Sequence, residues 1–299
     1  MIVNILFLLL IFISCSSPKV KGPTSEEAHK VSKESFKKEK SLSASEVKDF
    51  ISEKPKSLNS ALYDETLDRY SVDELSLLSD SKDPLLNISI YCSKGDFNKA
   101  FDLASTLFDR YQKIPSYWNQ IGNCHLNQGS QRKALLFYNK ALEVNPNYVP
   151  SLNNIGVSYA RLGEDQKALI AFERANNQSR FAKTPRYNLA KMYLKYGLAE
   201  SALPLFNGLL NESTNDVDLI NAVGTCYFMM SDYQKANSFF SKVPSSLLTR
   251  AEYGLNYSIT LKKLGKSELA KKIFAQINEP KSKDQKDYYS LVGSQLGVQ

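Results

Sequence analysis

The chain has few of the side chains on which enzymes and metal proteins rely. Among its 299 residues there are two histidines, His29 and His125, and four cysteines. Cys92, Cys124 and Cys226 have a spacing that suits neither a zinc site nor a local disulfide frame, so we expect free cysteines that pack as small apolar residues. The sequence therefore predicts a protein that is not an enzyme and binds no metal or cofactor.

Small residues instead recur at a constant interval. Six alanines follow one another at steps of 34 residues, without insertion or deletion: Ala100, Ala134, Ala168, Ala202, Ala236 and Ala270. From the second unit on, an aromatic ring comes four residues after the alanine, as at Phe172. A turn glycine comes five residues before most of these alanines, and Ser231 takes its place in the fifth unit. This period is typical of a helix-turn-helix repeat.

The second unit carries the motif of a known repeat family. Trp118, Ile121, Gly122, His125, Ala134, Tyr138 and Pro146 resemble the tetratricopeptide pattern W-x2-L-G-x2-Y, A-x3-F, P. The resemblance implies an all-α fold, a right-handed α-α superhelix of six such repeats with helical caps. Within each repeat, small residues such as Gly156 and Ala168 let the two helices approach closely. The predicted repeats are 81–114, 115–148, 149–182, 183–216, 217–250 and 251–284, between an N-terminal helical cap at 44–80 and a C-terminal capping helix at 285–299.

The beginning of the chain resembles an export signal. Residues 1–14 are almost wholly apolar and too few to span a membrane, so we interpret them as a signal peptide. Ile13-Ser14-Cys15 resembles the lipobox of bacterial lipoproteins, which implies that Cys15 becomes the lipidated first residue. The alternative is a buried N-terminal helix with an ordinary cysteine. Lysine, serine and glutamate dominate up to residue 43, which predicts a disordered tether over 15–43.

The resemblance also implies a binding surface, because the first helices of tetratricopeptide repeats line a concave groove. Asparagine amides can bond both the N–H and the C=O of a bound peptide, basic groups can hold an acidic side chain, and Phe228 with Met229 offers an apolar pocket. The alternative is that these are ordinary soluble residues of helix surfaces, as we expect for Lys140 on the convex face. The predicted peptide-binding residues are Asn119, Asn123, Asn153, Arg161, Tyr187, Lys191, Lys195, Asn221 and Phe228, and Leu255, Ile259, Lys262 and Lys263 occupy the same positions in the last repeat.

Lipobox, tether and repeats together resemble the layout of the pilotin lipoproteins of type IV pili, which escort secretin subunits to the outer membrane. The expected function is a membrane-anchored scaffold or assembly factor that binds a protein partner in the bacterial envelope. A docking subunit for cell-wall enzymes fits the same layout, and a regulator or enzyme that uses the repeats as a docking arm is the alternative. Ser16 stands where inner-membrane lipoproteins commonly carry aspartate, which favours the outer membrane, facing the periplasm. We expect no nucleic acid and no small-molecule substrate.

Overall fold

The computed structural model describes residues 82–179 and 181–298, and this part of the chain is helical throughout, with thirteen α-helices and no strand. The chain divides into two compact units within the seventh helix. We call the described residues up to Leu189 the N-terminal unit and those from Ala190 the C-terminal unit. The predicted signal peptide, the lipidated Cys15, the tether and the N-terminal cap lie outside the described residues.

In the N-terminal unit, consecutive helices pack as pairs. A first and a second helix fall within each predicted 34-residue window, and α3 packs on α4 as α5 packs on α6. The predicted all-helical fold of tandem helix pairs is confirmed. The helices are α1 (Pro84–Ser93), α2 (Phe97–Tyr111), α3 (Pro115–Asn127), α4 (Gln131–Val144), α5 (Val149–Arg161) and α6 (Asp165–Gln178), followed by α7 (Lys183–Lys195), which continues into the C-terminal unit.

The C-terminal unit continues the pairing, and two of its second helices are short. Its helices are α8 (Ala199–Glu212), α9 (Val217–Met229), α10 (Tyr233–Phe240), α11 (Ala251–Lys263), α12 (Ser267–Phe274) and α13 (Lys283–Leu296). Only 8 residues form α10 and α12, against 14 in α8. Pro244 and Pro280 follow the short helices, and the residue before a proline disfavours helical geometry. The capping helix predicted at 285–299 corresponds to α13, which packs on α11.

A tight contact between an aromatic ring and a small residue joins the two helices of a pair. A Cβ atom added to Gly156 of α5 would lie 2.5 Å from a ring carbon of Phe172 on α6, so only glycine lets the ring approach this closely. Gly122 with Tyr138 and Gly224 with Phe240 repeat the arrangement in other pairs. The rings therefore fill the space that the small residues leave, as the sequence predicts.

Two of the cysteines are covalently joined. Cys92 of α1 and Cys124 of α3 form a disulfide, with Cα atoms 5.2 Å apart. The expectation that these cysteines are free is therefore wrong, and among the described residues only Cys226 is free and buried. Their separation of 32 residues is close to one repeat, which brings the two cysteines onto neighbouring first helices that pack together.

His125 belongs to the aromatic core of the N-terminal unit. It is 1% exposed, and its ring stacks between Phe101 and Phe137 at centroid distances of 4.8 and 5.1 Å. Burial disfavours the charged imidazolium and lowers the pKa of His125 to about 4. The ring is therefore a neutral packing element in the position where tyrosine is usual.

We expect His125 to make the stability of the N-terminal unit sensitive to acid. The pKa of His125 is about 4 in the folded protein and about 6.5 in the unfolded chain. Above pH 6.5 the ring is neutral in both states, and its packing contributes fully to the free energy of unfolding. That stabilisation is lost as pH falls from the higher value towards the lower one, at up to about 1.4 kcal/mol per pH unit. His125→Phe should flatten this slope in urea titrations followed by circular dichroism. Equal slopes for the variant and the parent would contradict the assignment.

Candidate functional site

Five asparagines on three successive first helices lie together in the N-terminal unit. Asn154 of α5 donates from Nδ2 to Oδ1 of Asn119 at 3.1 Å and to Oδ1 of Asn123 at 2.9 Å, both on α3. Asn153 donates to Oδ1 of Asn154 at 3.1 Å, and Asn188 of α7 donates to Oδ1 of Asn153 at 2.9 Å. We call these five residues the asparagine ladder. Its hydrogen bonds run from α7 across α5 to α3.

The asparagine ladder is buried, and hydroxyl groups extend it. Its members are between 2% and 4% exposed. Ser151 and Tyr138 donate hydrogen bonds of 2.9 Å to Oδ1 of Asn119 and of Asn123, respectively. Burial raises the pKa of the Tyr138 hydroxyl well above its ordinary value, so this group remains a donor. Since a buried amide is costly without partners, these bonds fix how α3, α5 and α7 align.

The structure thus brings Asn119, Asn123 and Asn153 together, each hydrogen-bonded to the amide of Asn154. Their predicted role in peptide binding stays a prediction. Asn154 and Asn188, as members of the ladder, and Ser151, which bonds to it, were not among the predicted residues. The sequence does contain a signal for Asn154 and Asn188. They are 34 residues apart, and each directly follows a predicted groove residue, Asn153 or Tyr187.

Two other predicted site residues of the N-terminal unit lie at the edge of this buried layer. Tyr187 and Arg161 are half-buried. Arg161, at the end of α5, donates from Nη1 to the backbone oxygen of Leu126 on α3 at 3.5 Å. A guanidinium in this position bonds one of the last carbonyl groups of the neighbouring helix, where a cation is favourable.

A shorter polar chain joins the first helices of the C-terminal unit. Asn221 of α9 donates to the backbone oxygen of Glu252 on α11 at 3.2 Å. Asn256 of α11 donates to the Thr225 hydroxyl at 3.4 Å and accepts from the Tyr288 hydroxyl of α13 at 2.7 Å. The helices α9, α11 and α13 therefore lie side by side, in the order of the sequence.

More of the predicted groove is accessible in the C-terminal unit than in the asparagine ladder. Lys191 and Lys195 on α7 are exposed, and Asn221 and Phe228 on α9 are half-buried. Met229 is 41% exposed. Two groove positions of the last repeat are instead buried, since Leu255 and Ile259 are 3% and 5% exposed. The exposed groove residues Lys195, Met229, Lys262 and Lys263 lie at the C-terminal ends of α7, α9 and α11.

The expectation that Lys140 is a solvated surface residue is wrong. Lys140 is 6% exposed, and its Nζ atom lies 2.8 Å from a carboxylate oxygen of Glu143. The aliphatic part of a lysine can pack along apolar surface while the ammonium reaches a partner at the edge. Sequence alone does not distinguish such a lysine from a solvated one.

Neither metal chemistry nor a membrane span is indicated in the described ranges, 82–179 and 181–298. Within them, histidines, cysteines and carboxylates form no group that could hold a metal ion. No helix there is long and apolar enough to cross a bilayer.

We expect Asn154→Ala to destabilise the N-terminal unit, because it leaves the Asn153 amide without its acceptor and removes a donor from Asn119 and Asn123. A buried polar group without a partner costs about 1–3 kcal/mol, which urea unfolding can measure. Asn177→Ala, on an exposed surface of α6, is the matched control and should unfold like the parent. Equal stability of the two variants would show that the ladder is dispensable.

Comparison with known proteins agrees with this architecture. Residues 115–148 and 137–170 match models of the tetratricopeptide repeat. The anaphase-promoting complex subunit CDC16 of Saccharomyces cerevisiae is 27% identical over 210 residues, a match covering 65% of this chain and 24% of that protein. The chain thus aligns with about a quarter of the length of this relative.

Two solved structures resemble the described helices. YrrB, a protein described as having an unusual peptide-binding site, is similar with a TM-score of 0.54 at 18% identity, over 65% of this chain and 98% of YrrB. The Cut9 and Hcn1 hetero-tetramer of the anaphase-promoting complex gives 0.57 at 18% identity, over 76% of this chain and 46% of the compared chain. At this level of identity the likeness concerns the fold. The family matches cover residues 115–170, and with the constant period they identify tetratricopeptide repeats in that part of the chain.

Proposed function

We propose that this protein is a lipid-anchored scaffold that binds a protein partner through the first helices of its repeats. The observation that carries the proposal is the array of helix pairs, whose first helices present Lys191, Lys195 and Phe228 at an accessible surface. A protein with such a surface acts by holding another molecule. The peptide-binding site named for YrrB, which shares the fold, favours a peptide or protein as that molecule.

The disulfide supports a place outside the cytoplasm. Disulfides such as that between Cys92 and Cys124 form and persist in oxidising compartments, including the bacterial periplasm. An apolar segment at 1–14 followed by Cys15 would supply both the export signal and the anchor. We therefore propose lipidation at Cys15 and a position at the outer membrane, facing the periplasm. A pilotin-like assembly factor and a scaffold for cell-wall enzymes are the two forms of this function, and the partner distinguishes them.

Cys15→Ala should leave the protein unprocessed or release it from the membrane, because the thioether to lipid can no longer form. Membrane fractionation and intact-mass measurement report these two outcomes separately. Cys226→Ala is the control, since Cys226 is a buried free cysteine on α9 and should not affect processing. A protein that retains Met1 and carries no lipid would contradict the anchor.

Partner binding at the first helices can be tested by crosslinking in the cell. A photo-reactive amino acid in place of Lys191 or of Phe228 should crosslink to the same protein, identified by mass spectrometry. The same amino acid in place of Lys272, which is exposed on the second helix α12, should not. Crosslinks from Lys272 alone would move the binding surface to the second helices, and the absence of any protein product would refute the scaffold function.

A further inference from the structure

Large apolar side chains are exposed at one end of the helices of the C-terminal unit. In the described ranges nine large apolar side chains are exposed, and five of them lie in or next to the turns that join a first helix of this unit to its second helix. We call these five the turn edge: Tyr196, Leu198, Met229, Met230 and Leu269. Each is between 40% and 49% exposed. A group of exposed apolar side chains marks a contact surface, whereas a single one needs no explanation.

The packing of the helices places these turns at the same end of the C-terminal unit. Because α8 and α9 pack on each other and are joined only by residues 213–216, they run antiparallel, and the start of α8 lies beside the end of α9. The helices α9 and α11 run parallel, since Asn221 bonds to Glu252 and, one turn later on both helices, Thr225 bonds to Asn256. The end of α9 therefore lies on the same side as the end of α11.

The turns themselves do not require apolar neighbours. Gly197, between Tyr196 and Leu198, has a φ of 74°, which glycine adopts without strain. In the N-terminal unit the corresponding glycines have φ angles of 74–81°, and their neighbours are polar except for the half-buried Leu162: Lys94-Gly95-Asp96, Gln128-Gly129-Ser130 and Leu162-Gly163-Glu164. The same turn geometry thus forms without exposed apolar side chains, so the turn edge is not a by-product of the fold.

Lysines accompany the turn edge. Lys262 and Lys263 end α11, Lys266 follows the turn at Gly265, and all three lysines are exposed. Their ammonium groups therefore lie at the same end of the unit as the exposed apolar side chains.

The acids at this end are fewer, and two of them are paired. Asp232 lies 2.9 Å from Lys235, and Glu268 lies 3.8 Å from Lys271. Glu200, in the first turn of α8, is the third acid. The lysines at 262, 263 and 266 outnumber Glu200. This end of the unit therefore combines apolar side chains with a net positive charge.

We infer that the turn edge lies against the surface of an anionic phospholipid bilayer. The inference goes beyond the proposed function, which assigns membrane attachment to Cys15, and it rests on that function only because the proposed anchor would keep the repeats near a bilayer. A fluid bilayer can accept side chains from three separate turns without a complementary shape. Tyrosine rings are favourable at the level of the headgroups, and lysines attract anionic lipids.

Interfacial protein segments bury their apolar side chains about 5–10 Å into the boundary between headgroups and acyl chains. Tyr196, Leu198 and Met230 are at or next to the tips of their turns, so they can enter this layer while the helices stay outside it. The lysine stems can lie along the apolar layer, with their ammonium groups at the phosphates. The turn edge therefore fits a surface contact.

The test uses the full chain reconstituted on vesicles of phosphatidylethanolamine and phosphatidylglycerol, with an environment-sensitive fluorescent amino acid in place of Met230. Its emission should shift to the blue, and lipids that carry a nitroxide near the headgroup should quench it. The control carries the same amino acid in place of Asn215, which is exposed between α8 and α9. Asn215 lies at the opposite end of α9, a helix of 13 residues and about 20 Å, so it should not be quenched.

Charge reversal tests the role of the lysines. Lys263→Glu with Lys266→Glu should lower the quenching at Met230 to the level at Asn215, and added salt should lower it in the parent, because salt screens exposed charges. Lys272→Glu with Lys281→Glu is the matched control. It makes the same charge change on exposed residues in the last turn of α12 and beyond it, and should leave the quenching unchanged.

A second variant tests the apolar contribution. Leu198→Ser with Met229→Ser should also abolish the quenching at Met230, since both side chains would no longer gain from burial in the bilayer. These substitutions alter exposed side chains, and their circular dichroism should match that of the parent.

The outcomes separate this inference from the proposed function. Equal quenching at Met230 and Asn215 overturns the inference, and if the mass of the chain shows lipid at Cys15, the anchor stands. A blue shift at Met230 without quenching also overturns it, because the turn edge would then be covered by protein, such as a second copy of the chain. Quenching at Met230 in a chain that carries no lipid would support the turn edge and remove the anchor.

Discussion

The other features depend on the close contact between an aromatic ring of one helix and a glycine of its paired helix. Tyr138, Phe172 and Phe240 approach Gly122, Gly156 and Gly224 so closely that an added Cβ would lie 2.5–2.7 Å from a ring carbon. This contact sets the distance between the two helices of a pair. With that distance fixed in one repeat after another, residues 34 positions apart reach equivalent places on neighbouring first helices. Charge, amide groups and disulfide then act between repeats.

The two units use those equivalent places differently. In the N-terminal unit, the first-helix asparagines of the buried ladder hydrogen-bond one another. A disulfide between Cys92 and Cys124 also joins two of the first helices. In the C-terminal unit, only a short polar chain joins the first helices, and lysine, methionine and phenylalanine side chains stay accessible. One unit is therefore organised for alignment of its helices, and the other offers the surface from which partner binding is proposed.

The sequence predicts the features that repeat and misses those that depend on a single contact. Alanine, ring and glycine recur at a fixed period, so helix pairs and their order follow from the pattern alone. The early ends of α10 and α12, at Phe240 and Phe274, are not marked by the period. The period also predicts that Asn119 and Lys140 lie on opposite faces. It does not predict that both are buried, or that they bond to Asn154 and Glu143. The disulfide between Cys92 and Cys124 was not predicted for a similar reason. It joins two packed helices, whereas the spacing of cysteines in a sequence indicates mainly disulfides within a local loop.

The disulfide also has a mechanical meaning. A repeat array contacts mainly its neighbours, so a pull on its two ends would peel helix pairs off one after another and lengthen the chain by each pair in turn. Between Cys92 and Cys124 the chain is closed into a loop of 32 residue steps. That loop withholds about 110 Å of extended chain, at roughly 3.4 Å per residue. If the first repeat unfolds under force, the disulfide therefore keeps residues 92–124 from extending. No other described repeat contains a bond that limits its extension in this way.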